Sequence, residues 1–166
     1  MRARILLTAA ALALTTAAPA AHAFDLTGHW IGKWSCKGFD GTKFTSKEPD
    51  STLDVTQTGN DILASIDGQI FLYNGTAIPD LAKPEKGEAV LLQCGTSNAV
   101  TLQESEIVRA TVKTKDTTFK ASFKATSIFT DLFVNDNQEQ VPEVGTCKYS
   151  YKRIDTIDPQ VPGCPQ

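Results

Sequence analysis

From Gly28 to Ile154 the chain alternates apolar and polar residues over short stretches, and Gly, Asn, Asp and Pro stand between them. A period of two is what a strand with one buried face requires, whereas a surface helix repeats its apolar positions about every 3.6 residues. The runs Gly28–Lys37, Thr42–Ser46, Ser51–Thr58, Asp61–Asp67, Gln69–Asn74, Glu88–Cys94, Glu106–Lys115, Thr117–Ile128 and Thr146–Ile154 read as strands, and no stretch reads as a helix. Thr58–Asp61 and Lys115–Thr117 punctuate hairpins. Asp67-Gly68 predicts a tight turn or bulge, Asn74-Gly75-Thr76 a turn, and Ile78–Gly87 a longer irregular connection. The tail from Asp155 to Gln166 holds three prolines and predicts an irregular strap. Eight or nine antiparallel strands at this spacing imply one all-β domain, closed as a barrel or stacked as a sandwich.

Alternation also assigns faces. Phe119, Ala121, Phe123 and Ala125 share the apolar side of their strand, and Lys120, Ser122, Lys124 and Thr126 take the other. The last run groups Cys147, Tyr149, Tyr151 and Arg153, and the first groups Trp30, Gly32, Trp34 and Cys36.

Ahead of the strands stand a short basic start, Met1 to Arg4, an apolar run from Ile5 to Leu14, and Ala21-His22-Ala23 with the small-x-small form of a cleavage site. Residues 1–23 therefore read as a secretory signal peptide of bacterial type, and 24–166 as one exported domain ending in the strap 155–166. No later apolar run approaches the roughly twenty residues of a membrane-spanning helix, so no membrane insertion is expected. Removal of the leader takes Arg2 and Arg4 with it and moves the formal charge from −3 to −5. Such an acidic chain excludes a nucleic-acid binder held by bulk positive charge, and its length excludes a multidomain enzyme. All four cysteines, Cys36, Cys94, Cys147 and Cys164, follow the leader. An even count in an exported chain reads as two disulfides among three possible pairings. A metal site would need closely spaced CxxC pairs, which are absent, and the mature chain has one histidine, His29. No metal and no cofactor are expected.

The opening Leu26-Thr27-Gly28-His29-Trp30 resembles the Gly-x-Trp start of the first strand in lipocalins, avidins and related small barrels, the calycins. The resemblance implies a lipocalin-like antiparallel barrel of eight or nine strands. In lipocalins that Trp plugs the closed end of the barrel beneath an Arg from the end of the last strand, and the counterparts here are Trp30 and Arg153. A closed barrel pairs its first and last strands antiparallel, so opposed residues share a constant sum of numbers. Trp30 with Arg153 gives 183, and Cys36 with Cys147 gives the same sum. The register implied by the resemblance thus sets Cys36 against Cys147, Trp34 against Tyr149 and Gly32 against Tyr151. Cys94 is left to join Cys164, which straps the tail to a middle strand as in many lipocalins.

The chemistry is marked first by what is missing. No Ser-His-Asp or Cys-His set can be assembled from one histidine and oxidised cysteines, and no phosphate loop, HExxH or Rossmann glycine pattern occurs. No catalytic residue is assigned, and His29 reads as a solvated side chain. Trp34, Phe119, Phe123, Tyr149 and Tyr151 are the candidate ligand-binding residues, because a barrel of about eight strands holds either one small molecule or a filled core. Arg109, Lys113, Lys115, Lys120, Lys124, Lys148 and Lys152 form an outward basic row. Such lysines mostly keep strands soluble and unpaired, and they are also where an anionic partner would dock. Asp131, Asn135, Asp136, Asn137 and Glu139 carry oxygen ligands but lack an ordered calcium-loop pattern, and read as a polar hairpin tip.

The expected function is non-enzymatic binding in the periplasm or outside the cell: a small apolar or amphiphilic ligand held in the barrel around Trp34 and Tyr149. The alternatives are a protease inhibitor that inserts the mature N-terminal segment Phe24–Thr27 into a protease cleft, and a purely structural or interaction barrel. A first prediction follows from the leader and the cysteine count. The exported protein should begin at Phe24 and contain no free thiol; an intact mass under non-reducing conditions that shows a retained leader or four reactive thiols would contradict it.

Overall fold

The computed structural model describes residues 24–68, 70–83, 85–94, 101–115, 118–134 and 139–164. Residues 1–23, expected from the sequence to be a leader, lie outside them. The strands are β1 (Gly28–Phe39), β2 (Lys43–Thr58), β3 (Asp61–Ile66), β4 (Phe71–Pro79), β5 (Lys86–Gln93), β6 (Thr101–Lys115), β7 (Thr118–Val134) and β8 (Gln140–Arg153). They close into a single antiparallel barrel in chain order, with β8 returning to β1. Among the described residues there is no helix.

Nine predicted runs become eight strands because Thr42–Ser46 and Ser51–Thr58 are two halves of β2. Gly32 pairs with Ser51 and Trp34 with Glu48, so Pro49 and Asp50 together oppose the single residue Lys33. A bulge is where a strand tolerates a proline, which has no N–H for the ladder. Asn74-Gly75-Thr76, expected as a turn, instead lies inside β4 and pairs with Leu92, Leu91 and Val90 of β5. Its glycine serves close packing, since a Cβ at Gly75 would meet the Val90 carbonyl and the Leu91 side chain. The Asp67-Gly68 turn is tight, with φ of 53° and 70°.

The closure register is the one implied by the constant sum. Trp30 faces Arg153, Gly32 faces Tyr151, Trp34 faces Tyr149 and Cys36 faces Cys147. Disulfides join Cys36 to Cys147, with Cα atoms 4.0 Å apart, and Cys94 to Cys164, with Cα atoms 5.3 Å apart. The first staples the seam of the barrel. The second ties the tail, which leaves β8 at Ile154, to the end of β5. On the way the tail crosses β2, where the Val161 N–H donates to Thr56 Oγ1 at 3.0 Å and Thr56 Oγ1 donates to Asp158 at 2.6 Å. Two disulfides fit an oxidising, exported setting.

Small and large side chains share the interior. Ala77, Ala89, Ala110 and Ala125 form one hydrogen-bonded row across β4 to β7, and the same row continues into Tyr149 and Trp34. Four methyl groups on one wall leave room for two aromatic rings from the other, the size alternation that fills a small barrel. Gly32 makes room in the same way, because a Cβ there would meet the Ser150 carbonyl and lie 2.7 Å from Tyr151 Cα.

That contact generates a stability prediction. Gly32→Val should lower unfolding stability by about 3 kcal/mol, since the backbone of β8 must move to admit the side chain. Gly163→Ala, in open space on the strap, should stay within about 0.5 kcal/mol of the parent. Urea midpoints measure both, and equal midpoints for the two variants would contradict the close approach of β1 to β8.

Candidate functional site

One end of the barrel is closed by the segment that precedes β1. Phe24 and Leu26 are buried, and Trp30 beneath them is 1% exposed. The Trp30 indole N–H donates to the Leu26 carbonyl at 3.1 Å, and the Gln57 side chain holds the segment through the Phe24 carbonyl and the Leu26 N–H, both at 2.9 Å. Arg153 lies over the Trp30 ring, 5.4 Å from its centroid, and donates to the Asp25 and Thr27 carbonyls at 2.8 and 3.2 Å. A guanidinium on an aromatic face with its donors on backbone carbonyls is a satisfied, desolvated cation. This end is a plug.

Above the plug the interior stays full. Trp30, Phe123 and Tyr151 meet edge to face with ring centroids 6.2 Å apart at each step, and Tyr151 stacks on Tyr149 at 6.4 Å. Tyr151 shares a hydrogen bond of 2.7 Å with Ser51. Of the five candidate ligand-binding residues, Phe123 and Tyr151 therefore pack the core below the site. Phe119 belongs to β7, but its side chain lies outside the described residues.

Trp34 and Tyr149 are the two that the fold brings to the other end, where they line a cavity of about 180 Å³. Its wall is aromatic, with Phe44, Phe71 and Phe129 beside them and the Cys36–Cys147 disulfide between. Two phenylalanines owe their places to glycines. Phe129, Gly145, Gly38 and Phe44 form one row across β7, β8, β1 and β2, and a Cβ on either glycine would strike the neighbouring phenylalanine ring. The rings thus lie down over the glycine backbone on the two sides of the seam. Trp34 is aimed by the β3–β4 turn, because its indole N–H donates to Asp67 at 3.1 Å while the same carboxylate accepts the Thr52 N–H at 2.9 Å.

The floor of this apolar cavity is a carboxylate. Glu106 is 5% exposed and follows Gly38, Gly145 and Phe129 in the same row, on the interior face of β6. Three hydroxyls converge on it: Tyr73 donates to Oε2 at 2.6 Å, Tyr149 donates to Oε1 at 2.5 Å, and Ser127 donates to Oε1. Donors alone solvate an anion, and hydrogen bonding is what makes a buried charge tolerable. Asp131 and Glu143, directly opposed on β7 and β8, add two carboxylates higher on the cavity wall. Burial, and then the charge of Glu106, push the Tyr149 phenol well above its ordinary range, and burial does the same to Tyr151.

Sequence reasoning missed Glu106 and Glu143, and it read Asp131 as part of a polar hairpin tip. The signal was present, since Glu106 is in phase with Val108, Ala110 and Val112 on the buried face of its strand. An acid at an inward position interrupts alternation and reads as the end of a run. For the same reason β6, β7 and β8 extend past their predicted limits at this end.

The remaining features lie on the outside. His29 is not simply solvated; its Nδ1 lies 2.6 Å from Asp54, its partner across β1 and β2. Arg109, Lys113, Lys120, Lys124, Lys148 and Lys152 are exposed on the adjoining strands β6, β7 and β8 as expected, while the side chain of Lys115 lies outside the described residues. Of the supposed hairpin-tip cluster, Asp131 points into the barrel and residues 135–137 lie outside the described residues.

The buried phenols make a pH prediction. In the unfolded chain a tyrosine loses its proton near pH 10. Tyr149 and Tyr151 hold theirs to higher pH when folded, so above about pH 10 the unfolded state binds fewer protons and stability falls as pH rises. Phenolate absorbance from these two residues should appear only together with loss of the β signal in circular dichroism. Full phenolate absorbance from an intact fold would contradict their burial.

Comparison with protein-family models, with curated proteins and with solved structures finds no match to this chain.

Proposed function

We propose that this is an exported, lipocalin-like binding protein that acts without catalysis and holds one small, partly apolar molecule in the mouth of its barrel, between Trp34 and Tyr149. The observation that carries this reading is the difference between the two ends of one interior. One end is plugged by Trp30, Arg153 and the segment 24–27, and the other has an aromatic cavity of about 180 Å³. An apolar cavity of about 150 Å³ is enough to take up a molecule of benzene's size, so the ligand class is one ring or its aliphatic equivalent. Concave, apolar walls with a few converging polar groups are the usual form of a small-molecule site.

The plug also bears on the inhibitor alternative. Phe24 and Leu26 are buried at 5% and 1% exposure, and the carbonyls between Phe24 and Thr27 take hydrogen bonds from Gln57, Trp30 and Arg153. An inhibitory arm needs a segment free to enter a cleft, and this one is bound to its own barrel. The outward basic row on β6 to β8 remains the surface that an anionic partner would meet, with its attraction screened over about 8 Å at physiological salt.

The test uses the two indole N–H signals of the protein. Titration with benzyl alcohol should shift the Trp34 indole signal saturably and leave that of Trp30 in place. Ser46→Trp, which puts a second indole into the cavity mouth, should abolish saturation. No saturable shift at millimolar benzyl alcohol, or an undiminished one in Ser46→Trp, would overturn the reading.

A further inference from the structure

We propose that the mouth cavity selects organic cations: a small ammonium compound whose apolar part lies against Trp34, Tyr149 and Phe129 while its positive head meets the Glu106 carboxylate. The inference rests on the binding reading above and adds the charge of the ligand to it.

The first support is electrostatic. Glu106 sits in an apolar interior at 5% exposure, hydrogen-bonded by three hydroxyls and without an ion pair among the described residues. Hydroxyl dipoles stabilise a carboxylate but leave its net charge in place, and a charge in a low-dielectric site attracts a counter-charge far more strongly than one in water. Asp131 and Glu143 line the same cavity, and no Lys, Arg or His is among its described lining residues. An anionic ligand would be repelled by Glu106, and a neutral one would leave it as it is. A cation neutralises it.

The second support is independent of the acids. Trp34, Phe44, Phe71, Phe129, Tyr73 and Tyr149 present aromatic surface around the carboxylates. Aromatic walls attract ammonium groups through the negative faces of their rings, by about 0.5–2 kcal/mol per well-placed ring. An aromatic cage with a carboxylate at its base is a site for an ammonium, whereas a site for a purely apolar molecule has no use for the carboxylate.

A third observation comes from β5. Gln93, 5% exposed, pairs with Tyr73 and lies on the interior face of its strand with Ala89 and Leu91. Neither Oε1 nor Nε2 of its side chain makes a hydrogen bond among the described residues. Among the described residues, Glu106 Oε2 accepts only from Tyr73. Both oxygens keep acceptor capacity, Gln93 behind the cavity wall and paired with Tyr73, Glu106 within the lining, and the latter suits a head group that brings several N–H donors. If Glu106 served only as a structural anchor for Tyr73, Tyr149 and Ser127, the cavity would not discriminate ligand charge.

The experiment compares three ligands of one size: benzylammonium, benzyl alcohol and benzoate, titrated against the full exported protein at neutral pH and followed by the Trp34 indole signal. The expected order is benzylammonium tightest, benzyl alcohol about tenfold weaker and benzoate weakest. Glu106→Gln, which keeps the shape of the side chain and removes its charge, should abolish the preference, so that benzylammonium and benzyl alcohol bind this variant equally. Should Glu106→Gln fail to fold, Asp131→Asn should narrow the preference for benzylammonium over benzyl alcohol several-fold. Equal affinities for the three ligands, or benzoate tightest, would overturn the cation inference with the binding reading intact. Loss of all three would overturn the binding reading itself.

Discussion

Every functional feature of this barrel depends on the register in which its first and last strands meet. With Cys36 set against Cys147, the same pairing places Arg153 over Trp30 at one end and Gly38 against Gly145 at the other. A slip of one residue would turn either Trp30 and Trp34 or Tyr149 and Tyr151 out of the barrel, because side chains alternate between the faces of a strand. The covalent bond therefore does more than shorten the unfolded chain. It holds the plug and the mouth in fixed relation, since both are built from residues of the same two strands. By chain-entropy reasoning, each of the two long-range bonds contributes roughly 3 to 5 kcal/mol, less any strain.

The interior changes character along the barrel axis. Near the plug the groups that need hydrogen bonds find them within the fold: Arg153 on backbone carbonyls, Trp30 on Leu26 and Tyr151 on Ser51. Toward the mouth the side chains lining the wall become aromatic and acidic, and glycines replace side chains at the seam. The boundary is the pair Tyr149 and Glu106, where the last phenol of the aromatic stack donates to the first carboxylate of the cavity. Tyr149 is thereby both the roof of the core and the floor of the site, so the geometry of the mouth is set by the packing beneath it. A cavity held in this way is preorganised, with its polar groups positioned by a rigid scaffold.

Glu106 also accounts for the cost of such a site. A carboxylate taken from water into an apolar interior is unfavourable unless it is hydrogen-bonded, and even then it retains its charge. Tyr73, Ser127 and Tyr149 come from three different strands, β4, β7 and β8, to meet it on β6. Four strands thus converge on one side chain. The arrangement ties half the circumference of the barrel together by polar contacts at the level where the apolar core ends.

The chain itself determined most of the strands, the inward faces and the strap, while the closure of the barrel came from the resemblance that sets Trp30 against Arg153, with which the spacing of Cys36 and Cys147 agrees. Strands and faces are properties of period and spacing, which a linear sequence carries directly. Tertiary structure alone decided the site. Glu106, Asp131 and Glu143 occupy inward positions where acids look like breaks in a strand, and they become neighbours only because hydrogen-bonded rows cross from β6 to β8. Gly38 and Gly145 are separated by more than a hundred residues and carry no side chain to signal a role, yet they seat the two phenylalanines of the mouth. Phe123 and Tyr151 look from the sequence like Trp34 and Tyr149, and only their height along the axis sends one pair to the core and the other to the cavity. Alternation reports which face a residue takes; it is blind to how far along a closed barrel that residue sits, and that depth is what separates the packed core from the cavity.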